Sequence, residues 1–314
     1  MMQRIINTIK RYHLGPLIGL VILIFILSFA TAKFFTFGNL RNVALQISVN
    51  ALIAVGMTFV ILTAGIDLSV GSTLALSAAI AAQLMVGHIN PWLAGGAALF
   101  VGGLAGALNG VFVAYAGLAP FIVTLGTMTL FRGLTEIYTN GMPIFNLPRG
   151  FAGFGTGTFL AIPIPVWVMA LVFVAAWVVL YRTTAGRRIY AIGGNERVAF
   201  LAGVPVKRYL VGVYVVSGIL ASLAGIILAS RLGSAEPTAG VGYELDAITA
   251  VVLGGTSLMG GEGTLIGTLI GALILGTIDN GLNLLNVNSF YQDAVKGLII
   301  LAAIMLDRKK SAGR

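Results

Sequence analysis

Charged side chains that could do chemistry occur at helical spacing inside long apolar stretches of this sequence. Arg132 and Glu136 are four residues apart, so on a helix they would share a face and could form an ion pair. Asp293 and Lys296 are three residues apart and could also pair, and Asp279, at a similar predicted depth, could meet Lys296 as well. Ionisable groups in such surroundings are functional candidates by default, although pairs of this kind also serve only to lock helices together.

Amide side chains are the second set of candidates. With nearby aromatic rings they would offer a neutral polyol both hydrogen-bond partners and apolar faces for its C–H groups. The alternative is hydrogen bonding between helices, worth about 0.6 kcal/mol per bond. The amide candidates for a substrate passage, to be considered with Arg132 and Glu136, are Gln46, Asn50, Asn280 and Asn283.

Familiar catalytic chemistry is excluded by composition and motif. The chain has no cysteine and only two histidines, so it offers no thiolate site and no His-rich metal cluster. It contains no nucleotide-binding P-loop, no G-x-S-x-G elbow and no H-E-x-x-H motif. The sequence therefore predicts a protein that is not an enzyme and that binds no metal or cofactor.

The elements that position these residues are predicted to be membrane-spanning helices. Of the 314 residues, 58% are hydrophobic and only 9% charged, against about 25% charged in an ordinary soluble domain. No charged residue lies between Asp67 and Arg132, an interval long enough for three spans of about 20 residues each. We therefore expect one all-α membrane domain covering residues 1–314.

Ten spans are predicted from the apolar runs. The eighth is too short to cross cleanly, so we expect it to be re-entrant or broken. The predicted spans are 14–32, 42–64, 70–87, 92–114, 120–138, 163–181, 209–230, 246–258, 264–284 and 289–306.

The distribution of basic residues predicts the orientation. Most of the 19 Lys and Arg residues fall in an N-terminal segment (1–13), a loop (182–208) and a C-terminal tail (307–314), which places all three in the cytoplasm. The net charge of +9 is thus a topology signal and not a sign of nucleic-acid binding. A rival reading of the first span is a signal peptide with a cleavage site near Ala30 to Ala32.

The stretch TAGIDLSVGST, residues 63–73, holds Asp67, the only acidic residue among the first 135. The predicted topology makes it a cytoplasmic turn between the second and third spans. Gly65 would end one helix in a left-handed conformation, and Asp67 or Ser69 would cap the next. The carboxylate is thus either a helix cap alone or also part of a cytoplasmic gate.

The largest predicted cytoplasmic loop, residues 182–209, includes a short amphipathic helix. Asn195 is a favourable N-cap, Glu196 to Ala202 can form two turns, and Gly203 and Pro205 stop them. Such a helix suits docking to a soluble partner or, alternatively, lying on anionic lipid. On the outer side, residues 138–157 and 231–248 are predicted loops that either connect helices or receive a carrier protein.

Four stretches resemble the membrane permeases of bacterial ribose ABC importers, and the similarity covers nearly the whole chain. The wider family includes permeases for other sugars and for autoinducer-2. The stretches are VNALIAVGMTFVILTAGIDLSVGS (49–72), YAIGGNERVAFLAGV (190–204), SAEPTAGVGYELDAITAVVLGGTSLMGGEGTLIGTLIGALILGTIDNGLNLL (234–285) and FYQDAVKGLIILAAIMLDRKK (290–310).

The resemblance implies a homodimeric permease in the bacterial inner membrane that moves a sugar by alternating access. A periplasmic binding protein would deliver the sugar, and a separate cytoplasmic ATPase subunit would bind ATP and Mg. The resemblance also implies that the short helix of loop 182–209 is a coupling helix, whose contact residues on the ATPase would be Asn195, Glu196, Arg197, Ala199, Phe200 and Gly203. In the outer loop 231–248, which either connects helices or receives the carrier protein, the candidate residues are Glu236, Tyr243, Glu244 and Asp246.

Three positions depart from the family pattern, all towards acidity. Glu236 stands where the family has Gln, Asp279 replaces an amide, and Glu262 replaces a basic residue. None of them argues against the family. Two rival functions are an ABC importer of another solute and, from another class, a stand-alone ion-coupled transporter.

Overall fold

The computed structural model describes residues 15–312, with side chains from residue 15 to residue 305. The predicted N-terminal segment 1–13 lies outside the described residues, as do the side chains of the predicted tail 307–314. The described chain is almost entirely helical, with one two-residue hairpin of strands β1 (Thr158–Phe159) and β2 (Ile162–Pro163).

Thirteen helices are present among the described residues. They are α1 (Gly15–Ala30), α2 (Phe37–Leu62), α3 (Val70–Val86), α4 (Pro91–Ala114), α5 (Pro120–Thr139), α6 (Arg149–Thr156), α7 (Ile164–Arg182), α8 (Thr184–Gly194), α9 (Glu196–Leu201), α10 (Val206–Leu232), α11 (Tyr243–Leu253), α12 (Leu265–Leu284) and α13 (Ser289–Ala312).

Every predicted span coincides with one of these helices, so the helical fold class is confirmed. By length and apolar composition, five of the described helices are able to cross a membrane, namely α2, α4, α7, α10 and α12, and α1 and α3 are shorter apolar helices. Residues 149–156 and 184–194, predicted as loop, are the helices α6 and α8. Thr183 begins α8 by accepting the Ala185 and Gly186 N–H groups.

The connecting segments gather at two ends of the bundle. We call one end the basic end because it carries the loop 182–208 with its Lys and Arg residues. There the Leu62 carbonyl accepts the Gly261 N–H (3.0 Å), and Lys207 lies over the Tyr115 ring. At the opposite end, Ile144 pairs with Ala235 in an isolated bridge. The grouping of loops that the sequence predicted is therefore confirmed for the described chain.

Helices α2 and α10 form the centre of the bundle. Almost every residue of α2 from Ile47 to Leu62 is buried, and α10 packs against α2, α3, α4 and α6. The main core cluster joins apolar side chains of α2, α3, α10, α11 and α12. An apolar surface on all sides of α2 matches its buried position, since a helix that is hydrophobic all round belongs inside a protein or a membrane.

Helices α4 and α10 touch through their backbones. A Cβ atom at Gly106 would lie 2.1 Å from the Tyr214 carbonyl oxygen, and one at Gly110 would lie 2.6 Å from the Val211 Cα. Together with Gly102, these glycines recur every four residues on one face of α4. This spacing of small residues permits close contact between helices, which matters in a membrane because the hydrophobic effect does not drive helices together in lipid.

We predict that Gly106→Ala destabilises the protein by about 1–3 kcal/mol, because the added methyl group has no space between α4 and α10. The matched control is Gly96→Ala on the same helix, where no atom lies within 4 Å of the new Cβ. Thermal unfolding of the two purified variants in detergent tests the prediction, and equal melting temperatures would contradict it.

Candidate functional site

A polar cavity of about 490 Å³, which we call the large cavity, opens among the helix ends opposite the basic end. The predicted passage residues Gln46, Asn50 and Asn283 line it together. Around it converge α2, α10, α11, α12 and α13. Its other polar lining residues are Arg231, Glu236, Thr238, Tyr243, Asp246, Asp279, Gln292 and Lys296.

Lys296 is the electrostatic centre of the large cavity. Its Nζ lies 3.2 Å from an Asp279 oxygen and 3.3 Å from an Asp246 oxygen. The predicted contact with Asp279 is confirmed, but the predicted pairing of Lys296 with Asp293 is wrong, because the lysine points across to α11 and α12 instead of along its own helix. The cation is thus neutralised inside the protein.

A second cavity, about 340 Å³ and called here the small cavity, lies along α5. Arg132 and Glu136 both line it, facing Glu244 of α11. The Arg132 Nη1 donates to the carbonyl oxygens of Pro237 and Ala239, the latter at 2.9 Å. The predicted ion pair between Arg132 and Glu136 is wrong, since the hydrogen-bond partners of the guanidinium are these two carbonyl groups and it forms no ion pair with Glu136. The guanidinium instead satisfies backbone carbonyls.

Asn280 does not line either cavity. Its amide exchanges two hydrogen bonds with Asn39, at 2.7 and 3.0 Å, and both side chains are buried. This reciprocal pair ties α12 to α2, so Asn280 fills the structural role that was the alternative to a place in the passage.

The predicted loop residues Tyr243, Glu244 and Asp246 form the first turn of α11 and lie inside the protein. Asp246 is only 9% exposed, and Glu244 reaches the small cavity. Their assignment to an exposed outer loop is therefore corrected. Glu236 accepts the Ser234 hydroxyl at 2.7 Å and lines the large cavity.

Asp67 is 1% exposed and sits within the bundle, which corrects its assignment to a turn outside the apolar region. Its Oδ1 accepts the Ser69 N–H (3.0 Å) and hydroxyl (2.7 Å), and its Oδ2 accepts the Ser217 hydroxyl at 2.8 Å. At a rise of 1.5 Å per residue, Ser217 lies about 16 Å along the helix axis from Val206, the first residue of α10. The chain thus turns back into the bundle after α2.

Further buried polar groups extend this network. Asn109 donates to the Ser69 hydroxyl at 2.8 Å, and Thr127 donates to the Asn109 carbonyl oxygen at 2.7 Å. One chain of hydrogen bonds therefore joins α10, the 63–69 segment, α4 and α5. Sequence reasoning missed Ser217, Asn109 and Thr127, although polar residues within apolar spans were the available signal.

The cap prediction at this segment is partly correct. Asp67 accepts a backbone N–H at the start of α3, as predicted, whereas Ser69 makes no side-chain cap. The predicted left-handed conformation of Gly65 is wrong, because Ala64 adopts it with φ 61°. Gly65 is needed for space, since a Cβ there would lie 2.7 Å from the Tyr214 hydroxyl.

At the basic end, the predicted short helix is confirmed as α9, with Asn195 accepting the Val198 N–H at 3.0 Å and Gly203 following at φ +80°. Phe200 and Leu201 are 68% and 76% exposed. Ala199 is buried against α10 and α8, so it supports the helix from beneath and does not offer a contact surface.

Beside α9 lies a groove of about 550 Å³. Phe200 and Pro205 supply apolar surface to it, and Glu196, Arg197 and Lys207 supply charge. The helix is backed by α8, whose Tyr190 donates its hydroxyl to the Gly263 carbonyl at 2.9 Å, and burial raises the pKa of that phenol. A helix that exposes apolar side chains and is held in place by packing on α8 and α10 is suited to bind a partner.

Polar cavities within a bundle of apolar helices are an arrangement that fits a membrane transport protein. Residues 39–304 match the family described as branched-chain amino acid transport system / permease component. The chain belongs to this family of permeases, and it is a transport component, not an enzyme.

Close relatives include the ribose import permease proteins RbsC of Bacillus subtilis, 56% identical over 96% of this chain and 97% of the relative, and of Escherichia coli K12, 55% identical over 94% and 93%. The D-allose transport system permease protein AlsC of Escherichia coli K12 is 44% identical over 90% and 86%. No solved structure matches this chain.

We predict that Asp67→Asn and Ser217→Ala are energetically coupled. Each single change costs about 1–3 kcal/mol by disturbing a buried hydrogen bond, and the double variant costs less than their sum by about 0.5 kcal/mol or more. Unfolding free energies of the purified variants measure the coupling. The control combines Asp67→Asn with Ser28→Ala on α1, and there the two changes in unfolding free energy should add. Additive changes for Asp67→Asn and Ser217→Ala would refute the contact.

Proposed function

We propose that this protein is the membrane permease of an ATP-driven importer whose substrate is ribose. The single observation that carries the substrate is the 53–56% identity to ribose import permeases over more than nine-tenths of the chain. Identity falls to 44% for the D-allose relative and 38% for an L-arabinose relative. The chemistry of the large cavity suits a neutral sugar, since Lys296 is paired with Asp246 and Asp279 and the amides of Gln46 and Asn50 line the cavity with them, where they could bind hydroxyl groups.

The proposed topology has ten spans, with the basic end and both chain termini in the cytoplasm of a bacterial cell and the protein in its inner membrane. The Lys and Arg residues of loop 182–208 support this orientation. The large cavity then faces the periplasm, where a sugar-binding protein would deliver its cargo. The half-length helix α11 and the turned-back 63–69 segment break two crossings, a feature of transporter binding sites.

ATP and Mg belong, on this proposal, to a separate cytoplasmic ATPase that docks on α9. Exposed Phe200 and Leu201 would enter a pocket of that subunit, and the charged rim of the neighbouring groove would orient it. Movement of α9 would reach the transport path through α8 and α10, against which it packs.

A second copy of this chain is proposed to pack on α5. Outward-facing α5 carries Gly126, Thr129 and Glu136 between apolar residues, and the small cavity opens on that face. A charged cavity facing lipid would be costly, because an ionisable group inside a membrane needs a protein or water partner. A partner copy of α5 would cover it.

The function is tested by reconstituting this chain with its periplasmic binding protein and ATPase in liposomes and measuring labelled ribose uptake. We expect uptake to require ATP and excess unlabelled ribose to compete better than allose or arabinose. Native mass spectrometry of the same complex should find two copies of this chain. Failure of ribose to compete would reject the substrate, and accumulation without ATP would support the ion-coupled alternative.

For the docking helix, we predict that Phe200→Ser with Leu201→Ser lowers ATPase co-purification by about tenfold or more, because two exposed apolar anchors of an interface are lost. Membrane insertion should be unaffected. Phe159→Ser at the opposite end, 61% exposed, is the matched control. Full retention of the ATPase by the double variant would show that α9 is not the dock.

A further inference from the structure

One short stretch of chain contributes to the lining of both the large cavity and the small one. Residues Thr238 to Gly240 line the large cavity, while Val241 and Glu244, immediately after them, line the small cavity. We call residues 237–241 the dividing segment. It enters the bundle from the end opposite the basic end and leads directly into α11.

The dividing segment meets the start of α3 inside the bundle. A Cβ at Gly71 would lie 2.1 Å from the Gly240 carbonyl oxygen, so the two backbones are in direct contact. Neither position could carry a side chain without moving the other, so the dividing segment lies directly against α3.

Arg132 is the side chain that fastens this segment. Arg132 hydrogen-bonds to the backbone of the dividing segment at both Pro237 and Ala239. Among the described residues, no other side chain from outside residues 233–242 does so. Hydrogen bonds from a charged group are worth about 1.5–3 kcal/mol each. Loss of Arg132 would therefore remove most of the polar restraint.

Two glycines give the chain a place to bend between the dividing segment and α11. Gly240 and Gly242 adopt φ values of +73° and +85°, and nothing lies within 4 Å of a Cβ at Gly242. If the Arg132 guanidinium releases these carbonyl groups, it can pair with a carboxylate instead. Glu136 and Glu244 line the same cavity and form no ion pair with Arg132 in this structure. The cation would not be stranded, which removes the main cost of release.

We propose that the two cavities are successive stations for one neutral polyol and that the dividing segment, latched by Arg132, is the barrier between them. Both volumes fall within the range of about 300–1,000 Å³ typical of small-molecule sites. In the small cavity, Glu136 and Glu244 would accept sugar hydroxyls when the guanidinium holds the segment. This inference rests on the proposed sugar transport, but its barrier is testable without transport.

The absence of cysteine in the chain makes thiol labelling a direct test. Ser72→Cys places a thiol in the small cavity, behind the segment, and Thr238→Cys places one in the large cavity, in front of it. The reagent is a charged, membrane-impermeant methanethiosulfonate added from the periplasmic side to the assembled transporter without ATP.

We predict that the Ser72→Cys thiol is shielded and that adding Arg132→Ala raises its labelling rate by about tenfold or more, because two charge-assisted hydrogen bonds are lost. Arg132→Lys, which keeps the charge and one donor, should give an intermediate rate. Arg149→Ala is the matched control and should change nothing. The Thr238→Cys thiol should react at the same rate in every background, and ribose should slow its labelling.

An Arg132→Ala variant that leaves the Ser72→Cys thiol shielded, while Thr238→Cys still reacts, would overturn the latch. If Arg132→Ala does not fold, Arg132→Met, which keeps an unbranched side chain but has no donor, replaces it, and an unchanged rate with that variant would have the same meaning. Failure of ribose to slow labelling at Thr238→Cys would remove the large cavity as a station. Because labelling needs neither ATP nor uptake, a changed rate without ribose transport would keep the barrier and reject only the proposed function.

Discussion

Backbone polar groups that leave a helix inside this bundle must be satisfied by protein, because lipid and close-packed apolar side chains offer them no partner. Two segments, 63–69 and 233–242, interrupt helical crossings and expose such groups. Asp67 satisfies the Ser69 N–H in the first, and Arg132 satisfies the Pro237 and Ala239 carbonyls in the second. Asp67 and Arg132 thus each stabilise a part of the chain where the backbone is irregular.

The same constraint explains why the surrounding helices are packed through glycine. At the α4–α10 contact, backbone meets backbone at Gly106 and Gly110, so the bundle excludes water around the irregular segments. A well-packed wall keeps the hydrogen bonds of Asp67 in a low-dielectric setting, where each is strong if made and costly if lost. Close helix contacts and hydrogen-bonded irregular segments are therefore found together in this bundle.

Lys296 forms ion pairs with two of the acidic side chains that line the large cavity. Asp279, Asp246 and Glu236 all line this cavity, and Asp279 shares the lysine with Asp246. Two carboxylates around one ammonium hold three helices together at the cavity floor. The amides Gln46 and Asn50 on the facing side are left to bind hydroxyl groups.

The sequence by itself determined the helical class, the ten apolar runs, the grouping of loops at two ends and the α9 helix, because apolar length, basic-residue position and local caps are properties of short segments. It could not place Asp67 within the bundle or give Arg132 its partners, since both depend on segments distant in the chain. Ser217 and Pro237 meet them only after α10 and the dividing segment have packed. Tertiary structure alone decided which polar groups pair, because satisfying a buried group is a matter of proximity in space and not of spacing along a helix.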